Sequence, residues 1–244
     1  MTESKYITLM ENIRDSCTIV DLSHVMEEHM PAWPTQARYG STVYESYDFG
    51  DPAIHSAIYM SEHTGTHIDA PKHFIRNGCP VDKLDIKTVM GRGVTIPAEN
   101  CKPCGLFTLD QVQQFEHTYG AIRRGDIIMF HFGWDKKWAL QPDCADFLRD
   151  WPGLDGAAAT YFADRRVAAV GCDTLSLDAF GADDNVCHKI LLGSGIPIIE
   201  NICNLPELPV FSYVVGLPNK FKGGSGSPIR MAAFIQQENQ KKDT

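Results

Sequence analysis

The segment Ser61-Glu-His-Thr-Gly-Thr-His-Ile-Asp-Ala-Pro-Lys-His-Phe74 decides how this chain folds and what it can do. Within eleven residues it places His63, His67, Asp69 and His73 around one glycine and one proline. The spacing of His63 and His67 would put both imidazoles on one face of a helix. Thr64, Gly65 and Thr66 between them, with Pro71 just beyond, are poor helix formers, so a strand entered through a tight loop is the better reading. In an extended segment His67 and Asp69 point to the same side, and Gly65 permits the bend that swings His63 toward them. The result is a facial set of three ligands. Imidazole nitrogen and carboxylate oxygen suit Zn, Mn or Fe(II), and a catalytic site keeps one position open for water. His73 lies four residues past Asp69, where it could sit beside the ligands and titrate near neutrality.

Outward from this segment, strands outnumber helices. Thr18 to Leu22, His55 to Ser61, Gly91 to Ala98, Asp126 to Phe132, Val167 to Cys172, Ile196 to Ile199, Phe211 to Leu217 and Ile229 to Ile235 read as strands. His55 to Ser61 alternates as a half-buried strand would. Thr108-Leu-Asp-Gln111 is a capping box that opens a helix running to Tyr119, and Ala157 to Arg165 is a second helix. Residues 3–16 form an amphipathic helix with Tyr6, Ile7, Met10 and Ile13 near one face, suited to a docking arm. His24 to Gly40 reads as an exposed loop in which Pro31 and Pro34 stiffen Trp33, either as one wall of an aromatic pocket or as an anchor packed on the core. His188 opens a short apolar segment closed by Gly193, and the strand after it delivers Glu200. Taken alone, that His and Glu could equally be a paired structural couple. The expected fold is α/β, a single domain with a mixed sheet or barrel-like core and peripheral helices, residues 18–244 forming the domain and 1–17 the arm.

Composition narrows the function. A formal charge of -9, from 31 acidic against 22 basic residues, opposes nucleic acid or an anionic membrane as partner, and Lys241-Lys242 is the one locally basic stretch. No signal-length apolar core precedes Ser16 and no membrane-length apolar run follows, so a cytoplasmic protein is expected. There the eight cysteines should be thiols, Cys101-x-x-Cys104 lying in a surface loop. A G-x-S-x-G elbow is absent, and Gly223-Gly-Ser-Gly-Ser227 lacks the ending of a phosphate loop, which removes serine-nucleophile and P-loop chemistry.

The segment 61–74 closely resembles the signature of the cyclase family of metal-dependent hydrolases, which includes bacterial kynurenine formamidases and isatin hydrolases. The likeness continues through Val20-Asp-Leu-Ser23, Met30-Pro-Ala-Trp-Pro34, Gly133-Trp134, Val170-Gly-Cys-Asp-Thr174, His188 to Leu192, Ile199-Glu-Asn201 and Gly226-Ser-Pro-Ile-Arg230, in family order. It implies a swivelling β/β/α fold and a homodimer or larger assembly. It also implies one or two Zn or Mn ions, the first on His63, His67 and Asp69, the second shared through Asp69 with His188 and Glu200. His73 becomes the general acid/base, Trp33 a substrate contact, and Gly133-Trp134-Asp135 a turn near the mouth of the site. The implied reaction is attack by a metal-bound hydroxide on a small aromatic amide: an arylformamide such as N-formylkynurenine, in tryptophan catabolism. The alternatives are opening of a cyclic amide such as isatin, another small amide, ester or cyclisation substrate, or metal binding without turnover. Glu62 before His63 looks more like the isatin-hydrolase side, and Thr66 stands where many formamidases carry alanine.

Overall fold

A computed structural model describes residues 4–237; Lys241-Lys242 and the first three residues of the expected arm lie outside them. In chain order the elements are α1 (Lys5–Ser16), β1 (Cys17–Asp21), β2 (Gly40–Glu45), β3 (His55–Tyr59), β4 (His67–Asp69), β5 (Met90–Pro97) and β6 (Leu106–Phe107). There follow α2 (Leu109–Tyr119), β7 (Ile127–His131), β8 (Gly153–Leu154), α3 (Gly156–Arg165), β9 (Ala169–Cys172), α4 (Val186–Gly193), β10 (Ile198–Glu200), β11 (Phe211–Pro218) and β12 (Gly226–Gln236).

Apolar runs without alternation become strands covered on both faces. In β7, Ile128 and Phe130 join a core shared with the helices, whereas Ile127 and Met129 join a second core on the opposite face. Strands β12, β11, β5, β7, β9, β10 and β4 pair in that order, and β4 pairs back onto β12, so seven strands close into a barrel with β1 added at the side of β12. The β5–β7–β9–β10 run is parallel and the remaining pairings are antiparallel. The mixed, barrel-like core with outer helices is the architecture the strand-rich pattern predicts.

Period two along β4 does the essential positioning. Ile68 enters the core facing away from the helices, so His67 and Asp69 point the other way, toward α4. The β10–β4 register sets Glu200 opposite His67 and Ile198 opposite Asp69. Gly65, at φ 61°, makes the left-handed bend that leads into β4.

Three local expectations change. His55 to Tyr59 is a strand, but it pairs only with β2 in a separate two-stranded ribbon, and all five of its residues are exposed. Alternation therefore describes its two faces without a core beneath either. The His24–Gly40 loop is partly interior, since Met30 and Pro31 are buried. The segment opened by His188 is a helix whose first turn already includes Val186 and Cys187. The capping box is present: Gln111 Oε1 accepts from Thr108 N–H at 2.9 Å. Helix α1 forms as expected but buries none of its residues.

Gly153 shows how tightly the outer layer is fitted. A Cβ there would lie 2.3 Å from Ala179 N and 2.6 Å from Leu177 O, both backbone atoms that cannot swing aside. Gly153→Ala should cost about 1–3 kcal/mol by overpacking. The check is thermal melting; an unchanged midpoint would mean that the 177–179 backbone gives way freely.

Candidate active site

His67, Asp69, His188 and Glu200 form a buried ring, each between 1 and 5 % exposed. His67 Nε2 lies 3.4 Å from Asp69 Oδ1 and 3.5 Å from Glu200 Oε2. His188 Nε2 lies 3.3 Å from Asp69 Oδ2 and 3.2 Å from Glu200 Oε1. Each imidazole thus stands between two carboxylates. The far nitrogens are fixed elsewhere: His67 Nδ1 is 2.8 Å from the Gly65 carbonyl, and His188 Nδ1 is 2.6 Å from Asp178 Oδ2. With Nδ1–H donating to those oxygens, both Nε2 lone pairs face the ring centre, the orientation by which second-shell partners prepare histidine for a metal.

The electrostatics agree with that fit. Burial would lower the His188 pKa, but Asp178, Asp69 and Glu200 together hold it well above the ordinary value. His67 is likewise raised against its burial by Asp69 and Glu200. Burial would raise Asp69, yet contacts to His188, His63 and His67 keep it well below the usual carboxylate range. Two buried carboxylates facing two imidazole Nε2 atoms form a nitrogen-oxygen donor set that suits a borderline divalent metal.

His63 and His73 complete the constellation from a different side. His63 Nδ1 is 2.6 Å from Asp69 Oδ1 and its Nε2 is 2.9 Å from Ser225 Oγ, so both its nitrogens are engaged by protein atoms. His73 Nε2 stands 3.8 Å from Asp69 Oδ2. Its ring packs on His63, with centroids 4.0 Å apart, and edge-on to Phe74 at 4.8 Å. Donor atoms cluster as His67–Asp69–Glu200 and as His63–Asp69–His73, with Asp69 common to both. All five expected ligands and His73 are therefore brought together, although His63 groups with Asp69 and His73, and His67 with Asp69 and Glu200, rather than His63, His67 and Asp69 forming the first set. Burial lowers the His73 pKa, Asp69 partly opposing, so the ring is neutral at pH 7.

A cavity of roughly 210 Å³ opens over these groups, walled by Trp33, Gln36, Phe74, Leu175, Ser176 and Asn185 besides the histidines and Glu200. Trp33 serves as the pocket wall, its ring edge-on to Trp151 at 6.1 Å. Gly133-Trp134-Asp135 takes no part in the mouth: Trp134 is buried and donates its indole N–H to Phe147 O at 3.0 Å. That turn is clamped instead by Asp173, which accepts from Phe132 and Trp134 N–H at 3.0 Å each and is pushed up to about 7 by burial.

Sequence reading did not find Asp178. It accepts from His188 Nδ1–H and from the Cys187 and His188 backbone N–H groups, so one carboxylate both orients a ligand and caps α4. A lone acid closing the run Thr174-Leu-Ser-Leu-Asp178, ten residues before a histidine, was the available signal. Asp178→Asn should lower metal affinity about 10- to 100-fold while leaving the fold intact. Titration with a metal indicator checks this, and wild-type affinity would assign Asp178 to the helix cap alone.

The cyclase family model matches residues 20–179. The chain is 28 % identical over 214 residues to a kynurenine formamidase of Geobacillus thermodenitrificans, covering 87 % of this chain and 95 % of that protein. It is 27 % identical to one from Bacillus thuringiensis subsp. konkukian, with 86 % and 94 % covered. Among solved structures, isatin hydrolase A from Ralstonia solanacearum superposes with a TM-score of 0.87 at 27 % identity, over 97 % of this chain and 99 % of that one. Isatin hydrolase A from Labrenzia aggregata, bound to benzyl benzoate, gives 0.87 at 26 % identity over 96 % and 100 %.

Proposed function

Because the chain belongs to the cyclase family of metal-dependent hydrolases, we propose that it hydrolyses an arylformamide such as N-formylkynurenine, with His63, His67, Asp69, His188 and Glu200 holding Zn or Mn and His73 moving the proton. It is a metal-dependent hydrolase acting on amide C–N bonds. The observation that carries the proposal is the pair of Nε2 atoms held between Asp69 and Glu200, with the His73 imidazole beside them lining the cavity.

A bound divalent ion lowers the pKa of water toward neutrality and polarises a carbonyl oxygen. Everything else falls to the side chains. Trp33 offers its face to the substrate ring and, with Phe74 and Leu175, excludes bulk water. His73 Nε2 takes a proton from the attacking water and returns it to the departing aryl nitrogen, which leaves as a neutral amine. His63 and Phe74 keep the His73 ring in place for both transfers.

A second reading, opening of a cyclic amide such as isatin, is favoured by Glu62. Its carboxylate accepts from Ser225 N–H at 2.8 Å and from Ser225 Oγ–H at 2.6 Å, fixing the group that meets His63. Turnover of N-formylkynurenine and isatin by chelator-stripped protein restored with Zn or Mn separates the two. A metal-dependent rate on the formyl amide supports the first, preference for isatin moves the protein to the second, and silence on both overturns the substrate class.

Among the described residues no helix is long and apolar enough to cross a membrane. A cytoplasmic homodimer or larger homo-oligomer is part of the same proposal. The exposed apolar side chains of the ribbon, Val43, Tyr44, Ile58 and Tyr59, support an assembly that covers them.

A further inference from the structure

Beside the site cavity lies a larger hollow, of about 420 Å³, walled by Pro34, Leu148, Trp151, Ala179, Phe180 and Ala182. It shares Trp33, Ser176 and Asn185 with the cavity over the histidines. The two spaces are therefore neighbours across a common wall of three side chains, and a molecule seated over His73 has this hollow as its next available volume. The first cavity, at roughly 210 Å³, falls below the usual range for a drug-sized ligand, so it suits one ring and its amide and little more.

The walls of the annex specify what it takes. Its aromatic rings stand in series, Trp33 edge-on to Trp151 at 6.1 Å and Trp151 edge-on to Phe180 at 4.9 Å. Trp33 and Phe180 remain 40 % and 39 % exposed, apolar surface that a ligand would take out of water. Of the polar side chains in its walls, Thr35, Ser176 and Asn185 are uncharged, and two further polar groups are already used. The Trp151 indole N–H donates to Asp178 O at 2.9 Å, and the Asp178 carboxylate is occupied by His188 and the start of α4. Among the described residues no lysine or arginine lines either space, so a carboxylate reaching into the annex, away from the metal-holding residues, would find no counterion there.

This step rests on the amide-hydrolase reading and narrows its substrate. We infer that the substrate is a two-lobed, uncharged aromatic amide: the scissile group lies over His73 and the metal-holding residues, and a distal apolar lobe lies in the annex against Trp33, Trp151 and Phe180. Within the arylformamides proposed above, N-formylkynurenine, whose amino-acid end is charged, is then a slower substrate than an uncharged two-ring formanilide. Phe180 and Ala182, remote from the reacting atoms, then set selectivity.

The test compares metal-loaded wild type, Phe180→Ala and Ala182→Trp, the last of which fills the annex. Rates are measured on formanilide, 4-phenylformanilide and N-formylkynurenine. Binding of methanesulfonanilide and its 4-phenyl analogue, neither of which can be hydrolysed, is followed by tryptophan fluorescence. In wild type the added phenyl group should raise kcat/KM at least about tenfold, through KM, and tighten sulfonanilide binding by a similar factor. Both variants should lose that gain and keep wild-type rates on formanilide. Absence of the gain in wild type, its survival in both variants, or a higher kcat/KM for N-formylkynurenine than for 4-phenylformanilide would overturn the inference. A binding gain that the variants abolish, with no turnover of any amide, would leave the annex standing and remove the hydrolase reading instead.

Discussion

Asp69→Asn should leave a folded protein that has lost its metal. The carboxylate is 1 % exposed and lies within 3.8 Å of four imidazoles, those of His63, His67, His73 and His188. Removing one partner of a buried charged network costs about 3–5 kcal/mol, which as lost metal affinity is roughly 10²- to 10⁴-fold. Turnover should fall with occupancy. Metal content after dialysis, measured beside kcat, checks this, and a fully loaded Asp69→Asn protein would show that Glu200 and the histidines suffice. The same network gives the pH dependence a sign. His188 in the metal-free protein has a raised pKa, so its proton competes with the metal at a higher pH than an ordinary imidazole near pH 6.5 would. Metal retention should therefore begin to weaken above about pH 6.5 as the solution is acidified. In the stripped protein the His188 contribution to stability is complete below about pH 6.5 and disappears as pH rises through the raised value.

His73→Ala should do the opposite, keeping the metal and losing about 10²- to 10⁴-fold in kcat. The ring is 3.8 Å from Asp69 but a quarter exposed on the cavity side, at 28 %, unlike the sealed ligands. Its neutral form is the active one and its pKa is depressed, chiefly by burial. With metal supplied in excess so that occupancy stays complete, the wild-type rate should accordingly hold as pH falls past the ordinary histidine range and drop only below it. In His73→Ala that acid limb should vanish, and added imidazole should restore part of the rate. Loss of metal from this variant would instead make His73 a ligand.

How much of this could be read before folding differs from residue to residue, for physical reasons. The segment 61–74 was legible because its chemistry is local. A bend at Gly65 followed by period-two alternation places His67 and Asp69 together whatever the rest of the chain does. Strands β5, β7 and β9 were legible because their apolar runs have no other use. His188 and Glu200 came from resemblance alone, since their meeting with Asp69 depends on the register of β10 against β4 across about 130 residues of chain. The exposure of β3 was illegible because alternation records two dissimilar faces without recording what lies under them. Asp178 was hidden for a related reason, as its role exists only once α4 has folded onto it.

The seam where β4 meets β12 has a consequence for how the protein is made. Asp69, Ile68 and His67 pair with Gly226, Ser227 and Pro228, and Ala70 N–H donates to Ser225 O at 2.9 Å. Ligands synthesised in the first third of the chain are thus locked in place by a strand made some 150 residues later. A nascent polypeptide interrupted before Gly226 carries every expected ligand, yet β4 can pair only on its β10 side and its other edge stays open. Closure of the ring of strands therefore waits on the last strand made, and the ligand-bearing strand is the seam at which the barrel is sealed.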